Sequence, residues 1–253
     1  MVFFDVDGTI TNHEDGSISS STKEVIELLQ TKGLKVVVAT GRPLSMCNEI
    51  EALGIHTFIT ANGAYVKHNK KIIHKVPMDK RIVQEVVEFA YAENHGLSFY
   101  SEDFSMNGVK NDNILKALRE TLSLKDYPNI NQQVYNHEIF LICLFANNEM
   151  VEKYIKKFPH LTFKRWHPFV LNVLEEDISK SLAIIKVLEY FNIDKSEAIA
   201  FGDGENDIDM LELVGLGIAM GNGNEKLKMV ADFITKKSSE DGIAFALKKY
   251  GVI

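Results

Sequence analysis

The chain has 253 residues, 45% of them hydrophobic and 25% charged, and a formal net charge of −7. That length and balance suit a soluble globular protein built as one large domain or as a core with a smaller companion. The negative charge argues against a general nucleic-acid binder, which needs a basic surface against backbone phosphates, and leaves an anionic substrate dependent on local cations, a metal or backbone N–H groups.

Residues 2–7 form a short apolar run ending in acids and predict a buried strand. A helix is expected over 22–32, with a capping box from Ser21 and Glu24 and a stop at Gly33. Residues 34–40 read as a second buried strand. Pro43 suits the first turn of a helix ending near Gly54, and 56–60 read as a third strand. Residues 64–67 and 72–76 flank a polar turn and predict a hairpin. From Asp79 the rhythm changes. A helix over 80–93 leads to short strands, a helix over 112–122, a strand over 138–146 and a helix over 149–157. Strands over 161–166 and 169–174 complete this section. Alternation returns near 178: a helix capped by Ser179, strand 197–202, helix 206–213, strand 216–220, helix 224–230, strand 232–235 and helix 239–249. Strand–helix alternation at both ends implies an α/β protein with a parallel sheet covered on both faces, interrupted by an inserted α+β section. The expected division is a core of 1–79 and 178–253 with an insert of 80–177.

Cys47 and Cys143 lie far apart and match no zinc or redox spacing, so both read as free thiols in a reducing compartment. The eight histidines show no metal-binding pattern. The start of the chain lacks a basic segment before a long apolar stretch, and the apolar runs are strand-sized. No signal peptide or membrane span is expected, which makes the cytoplasm the default location.

Ligands of open α/β sheets bind beyond the carboxyl ends of the strands, so the residues there carry the functional reading. The first strand ends Asp5-Val6-Asp7-Gly8-Thr9. Residues two apart on a strand share a side, so Asp5 and Asp7 are expected as neighbours, and a hard divalent cation would relieve their repulsion. The second strand ends Thr40-Gly41-Arg42, where a hydroxyl and a backbone N–H could hold phosphate oxygens. The third leads to Asn62-Gly63, also a common turn pair. Lys180 opens a helix, a position that disfavours a cation unless an anion faces it. Gly202-Asp203-Gly204-Glu205-Asn206-Asp207 follows a late strand, and Asp203 at its tip is the better ligand candidate. Gly215-Leu216-Gly217 and Gly221-Asn222-Gly223 superficially suggest a dinucleotide site. They do not form the required pattern after the first strand, whose turn is acidic.

In this order and spacing the segments resemble the haloacid dehalogenase superfamily, in its Cof-type phosphatase branch (subclass IIB). Asp5–Thr9 matches the first motif, Thr40-Gly41-Arg42 the second, Lys180 the third and Gly202–Asp207 the fourth; Ser181 stands where relatives usually have glycine. The resemblance covers essentially the whole chain. It implies a Rossmann-like core with an inserted C2-type cap. It also implies a Mg²⁺-dependent phosphatase for a small phosphorylated metabolite: a sugar phosphate, nucleotide or phosphorylated cofactor. Asp5 would be the nucleophile and Asp7 the general acid–base. Thr40, Gly41, Arg42, Asn62, Lys180 and Asn206 would hold substrate. Asp5, Asp7 (through its carbonyl), Asp203 and Asp207 would serve the metal. The cap would close over the site, with Arg165, Trp166, His167 and Asn172 the first places to look for leaving-group selection. The alternatives are a phosphomutase using the same aspartyl phosphate and a non-catalytic sensor of a phosphorylated ligand.

Overall fold

Short runs of β-branched and aromatic residues become the strands of a central sheet. The computed structural model describes residues 1–122, 124–175 and 178–253. They fall into two compact units: Met1–Arg42, Cys47–Lys75 and Ser179–Ile253 form one, Pro43–Met46 and Val76–Ile178 the other. In chain order the first unit opens with β1 (Val2–Phe4), α1 (Ser20–Thr31), β2 (Val36–Ala39), α2 (Asn48–Glu51), β3 (Thr57–Thr60), β4 (Tyr65–His68) and β5 (Lys71–Lys75). The second unit follows with α3 (Lys80–Ala92), β6 (Gly96–Tyr100), β7 (Phe104–Met106), α4 (Asp112–Leu122), β8 (Leu141–Phe145), α5 (Asn148–Lys157), β9 (Thr162–His167) and β10 (Val170–Leu174). The chain then returns to the first unit as α6 (Lys180–Phe191), β11 (Ile199–Gly202), α7 (Ile208–Leu213), β12 (Leu216–Ala219), α8 (Glu225–Val230), β13 (Phe233–Ile234) and α9 (Gly242–Lys249). The expected boundary at 177/178 involves Asp177, which lies outside the described residues.

The first unit holds an eight-stranded sheet in the order β13-β12-β11-β1-β2-β3-β4-β5. Its strands are parallel from β13 to β3, and the β4–β5 hairpin runs antiparallel at one edge. From β1 the chain first builds toward β2 and β3, and only later adds β11 to β13 on the other side. The topological switch point therefore lies between β1 and β11, where open α/β sheets bind ligands. The residues of β1 are completely buried on both faces, as a central parallel strand requires. Phe3 packs with Ala183, Ile184 and Val187 of α6. On the opposite face Phe4 stacks on Phe201 of β11 at 5.0 Å. Each such ring contributes about 1.5–3 kcal/mol by leaving water.

The second unit has a separate antiparallel sheet, β7-β6-β8-β10-β9. Alternate residues Leu97 and Phe99, Ile142 and Leu144, and Leu171 and Val173 face one core with Val83, Val86, Val87 and Tyr154 of α3 and α5. Each unit thus has its own hydrophobic core. Among the described residues no helix is long and apolar enough to cross a membrane.

Three local expectations change. The cap of α1 is Ser19, which accepts from the Thr22 N–H, so the helix starts at Ser20 and not after a Ser21 box. Any of three consecutive serines satisfies the capping chemistry, and the core contacts of Thr22, Val25, Ile26 and Leu29 set the register. The helix expected from Pro43 to Gly54 shrinks to a turn at Leu44–Met46 and the four residues of α2, because Cys47 leaves helical geometry at φ −107°, ψ 10°. The first strand ends at Phe4, not at residue 7, with consequences for the site.

Candidate active site

Five parallel strands, β1, β2, β3, β11 and β12, end on one edge of the sheet, and their following residues form the site. Asp5 keeps an extended backbone (φ −68°, ψ 166°), and its N–H continues the ladder to the Phe201 carbonyl at 2.9 Å. Alternation along β1 then places its side chain on the face of Phe3, the face that α6 covers. Lys180, the first residue of α6, meets it there. Lys180 is 1% exposed, and its Nζ lies 2.5 Å from Asp5 Oδ1 and 2.5 Å from Asp207 Oδ1. Its approach depends on Gly63, at φ 110°, where a Cβ would collide with the Ser179 carbonyl just before Lys180. Ser181, in the place of the usual glycine, donates its N–H to Asp209 Oδ2 at 2.9 Å.

Beyond Asp5 the chain turns sharply. Asp7 (φ −75°, ψ 111°) and Gly8 (φ 82°, ψ −1°) have type II turn geometry, which calls for glycine at the second position. A Cβ on Gly8 would also overlap the Asp203 carboxylate. The turn ends the period-two alternation, so Asp5 and Asp7 do not share partners as a longer strand would make them. Asp5 is 6% exposed and bound to Lys180. Asp7 is about half exposed and is held by Arg42 at both oxygens.

Asp207 is fully buried, and its oxygens divide their work. Oδ1 accepts from Lys180, while Oδ2 accepts the N–H groups of Asp203 and Gly204 at 3.0 and 2.9 Å. Asp203 accepts from Thr9 Oγ1 at 3.3 Å and from Asn222 Nδ2 at 3.4 Å. Asp5, Asp203 and Asp207 each offer a carboxylate oxygen, and these atoms lie within 4.8 Å of one another.

Burial pushes the Asp5 carboxyl well above the usual range. Lys180 opposes that shift, and the negative charges of Asp207, Asp203 and Asp7 add to it. Burial likewise raises Asp203 to about 7, with Asp207 adding repulsion and Lys180 and Thr9 opposing. Burial disfavours the Lys180 ammonium, but the charges of Asp207 and Asp5 outweigh it and keep its pKa above the ordinary lysine value. One lysine against three carboxylates leaves two negative charges uncompensated, provided all are ionised.

The loops after β2 and β3 are tied together. Thr40 is 1% exposed, and its hydroxyl accepts the Arg42 N–H at 3.1 Å. The Ala61 N–H donates to the Arg42 carbonyl and the Asn62 N–H to the Thr40 carbonyl. Ala61 (φ 50°) and Asn62 (φ 56°) are both left-handed. Asparagine tolerates that region, whereas alanine is strained there by about 1–2 kcal/mol. Asn62 Oδ1 accepts from Asn206 Nδ2 at 3.0 Å. It also lies 3.2 Å from where a Cβ on Gly41 would sit.

All the core residues singled out from the sequence thus sit at one sheet edge, in connected groups. Asp5, Lys180, Asp207 and Asp203 form one; Asp7 and Arg42 a second; Thr40, Gly41, Asn62 and Asn206 a third. Among residues of the second unit, Trp166 Nε1 donates to Asn172 Oδ1 at 2.8 Å, and His167 meets Glu120 at 3.1 Å. Arg165 donates to the carbonyls of Ala146, His167 and Pro168. Sequence reasoning quoted Thr9 within the first motif and Asn222 within a glycine-flanked run but gave neither a role at the site. The position of Asn222 just past a parallel strand was the available signal, obscured by its flanking glycines.

A family model described as haloacid dehalogenase-like hydrolase matches residues 2–247. A Bacillus subtilis (strain 168) protein named "Putative phosphatase YkrA" is 39% identical over 258 residues, spanning 100% of this chain and 98% of its own. From the same organism, "5-amino-6-(5-phospho-D-ribitylamino)uracil phosphatase YitU" is 26% identical over 272 residues, spanning 99% and 97%. Among solved structures, the "HAD Subclass IIB Sugar Phosphatase BT4131" superposes with a TM-score of 0.84 at 32% identity, covering 100% of this chain and 99% of that one. With the motif residues gathered at the switch point and this likeness running the length of the chain, the protein belongs to the haloacid dehalogenase-like hydrolases, in their Cof-type, subclass IIB branch.

Proposed function

We propose that this phosphatase hydrolyses a small phosphorylated metabolite with the help of Mg²⁺, through an aspartyl phosphate on Asp5. The observation that carries the reading is the buried Asp5 carboxylate, bonded to Lys180 at 2.5 Å and grouped with Asp203 and Asp207 at the switch point.

The donor set suits the metal. Mg²⁺ prefers oxygen ligands and few carboxylates, and a divalent cation would neutralise the two charges that Lys180 leaves uncompensated. Asp5 and Asp203 would hold it through their side chains and Asp7 through its carbonyl, with Asp207 alongside. When bound, Mg²⁺ supplies positive charge that lowers the repulsion between a phosphate dianion and the carboxylates.

The residues then divide the work. An Asp5 oxygen attacks phosphorus, and the bond to the leaving oxygen breaks. Asp7 gives that oxygen a proton, then takes one from the water that attacks the acyl phosphate and frees Asp5. For the first step one Asp7 oxygen must carry the proton, while Arg42 keeps its hold on the other and fixes the direction of the carboxyl. Lys180, the Thr40 hydroxyl, the Gly41 N–H, Asn62 and Asn206 bind the phosphoryl oxygens and keep them in line, since phosphoryl transfer depends mainly on positioning and charge. Arg42, expected from the sequence to hold substrate, orients Asp7 instead, which it grips at both oxygens.

The names of two relatives bear on substrate class. One is a sugar phosphatase and the other acts on a phosphorylated ribityl compound. Their shared chemistry is a phosphate ester on a polyhydroxylated carbon chain, and we assign that class to this enzyme. Cys47 and Cys143, both buried and not in a disulfide, suit a reducing cytoplasm. Inorganic phosphate release from a panel of such esters, with Mg²⁺ and with EDTA, tests the reading. Release that needs Mg²⁺ and disappears in Asp5→Asn supports it; release that persists in purified Asp5→Asn defeats it.

A further inference from the structure

Asn222 occupies the loop after β12, outside every motif that brought the site together. It joins three separate stretches of chain. Its Nδ2 donates to the Gly8 carbonyl at 2.9 Å and, more weakly, to Asp203 Oδ2 at 3.4 Å. Its Oδ1 accepts the Ser238 N–H at 2.9 Å. Ser238 Oγ in turn accepts the His13 N–H at 3.0 Å. The same loop wraps Asp203 from behind, with the Asn224 N–H on the Asp203 carbonyl at 2.8 Å.

The chemistry of the side chain explains the choice. A carbonyl and a carboxylate on one side require a donor, and an N–H on the other requires an acceptor. A primary amide offers both at fixed separation; a carboxylate would set an acceptor against two acceptors, and a hydroxyl is too short to span the gap. The partners are the functional parts of the site. Gly8 belongs to the turn that carries Asp7, and Asp203 is held at its other oxygen by Thr9. Asn222 and Thr9 therefore pin the Asp203 carboxylate from both ends, Thr9 from the residue next to Gly8 and Asn222 by bridging from the Gly8 carbonyl to the loop after β12.

We propose that Asn222 is a positioning residue for the divalent cation: its amide sets the Asp7–Gly8 turn and the Asp203 carboxylate at the relative position that cation binding needs. The proposal rests on the metal reading above. It differs from a substrate-binding role because neither of its site-facing hydrogen bonds is to a phosphate-holding residue. Groups that orient metal ligands in this way typically change metal affinity by about 10–100-fold when removed.

The test is calorimetric titration of Mg²⁺ into the metal-free full chain, wild type first, then Asn222→Ala and Asn222→Ser, with circular dichroism to establish folding. The proposal predicts that wild type binds Mg²⁺ and that both folded variants bind it about tenfold or more weakly. The Mg²⁺ concentration that half-activates phosphate release should rise by the same factor, with lost activity regained at high Mg²⁺ and the KM for substrate shifting less. Unchanged Mg²⁺ affinity in a folded variant overturns the proposal while leaving the metal reading intact. No binding to wild type overturns both. If neither variant folds, Asn222 serves the fold and the proposal fails.

Discussion

Arg42 grips Asp7 at two points, with Nε 3.0 Å from Oδ2 and an Nη 2.6 Å from Oδ1, while another of its nitrogens lies 3.3 Å from Glu49. Burial alone would weaken the Arg42 charge, but the hydrogen bonds and charge of Asp7 outweigh it and hold the guanidinium firmly protonated. A planar fork fits a carboxylate in a way that a lysine ammonium does not. The proposed acid–base group therefore rests in a preset orientation.

Arg42→Lys should lower kcat roughly ten- to hundredfold for a sugar phosphate, whose leaving alkoxide needs a proton, as partial loss of general acid catalysis would. With p-nitrophenyl phosphate, whose leaving group needs no proton, kcat should change little. Steady-state kinetics on both substrates checks this. An equal rise in KM for the two would instead assign Arg42 to phosphate binding. Because Asp7 is half exposed, the pair itself adds at most about 1 kcal/mol to stability.

Lys180→Met should unfold more readily by about 3–5 kcal/mol at neutral pH, because it leaves Asp5 and Asp207 side by side with no buried cation. Urea denaturation at neutral and at acidic pH measures it. The deficit should shrink at acidic pH, where one carboxylate can take a proton. A deficit independent of pH would mean that lost packing, not charge, is responsible.

Gly8 and Gly33 offer a matched pair. Both have positive φ, 82° and 77°, so alanine costs each about 1–2 kcal/mol of strain. A Cβ on Gly8 meets the Asp203 carboxylate, whereas one on Gly33 meets nothing within 4 Å. Gly8→Ala should therefore lose Mg²⁺-dependent phosphate release and Gly33→Ala should keep it, with a loss in melting temperature at least as large for Gly8→Ala because of the added clash. Equal activity in the two variants would contradict the close approach of Gly8 to Asp203.

The metal-free protein should lose stability as pH rises through neutrality. Burial raises the Asp203 carboxyl from 3.8 to about 7. A carboxyl whose pKa is higher when folded contributes stability that is fully present below its unfolded value, near 3.8, and is lost as pH rises through about 7. Asp5 shifts in the same direction. Mg²⁺ binds the ionised carboxylates, so the rise in melting temperature on adding Mg²⁺ should be larger at pH ~8 than at pH ~5.5. Scanning fluorimetry across pH with Mg²⁺ and with EDTA measures it; an increment that does not grow with pH would contradict the assignment.

The fold was largely legible because its signals are local. Strand-length apolar runs, a polar turn and the change of rhythm at Asp79 and Ser179, which cap α3 and α6, mark β2, the β4–β5 hairpin and the two helix starts within a residue or two. The rest depends on tertiary placement. Gly8 marks a turn after Asp7, but that pairing stops as early as Phe4 was not legible, because the position of the turn is fixed by the close approach of Gly8 to a carboxylate 195 positions later in the chain. The pairing of Arg42 with Asp7 joins two strand tips. Ala61 looks like an ordinary turn residue, yet its left-handed backbone is imposed by bonds to the loop after β2. Asn222 was obscured because two glycines beside an asparagine look like turn punctuation until the loop is seen folding over Asp203.

The most direct measurement is the location of the covalent phosphoryl group. The enzyme would be mixed with Mg²⁺ and p-nitrophenyl phosphate, quenched in acid during turnover and reduced with borohydride, which converts an aspartyl phosphate to homoserine. Peptide sequencing by mass spectrometry then identifies the residue. The account predicts homoserine at position 5, absent when substrate is omitted. A reduced or phosphorylated residue elsewhere, with Asp5 intact during active turnover, would contradict it.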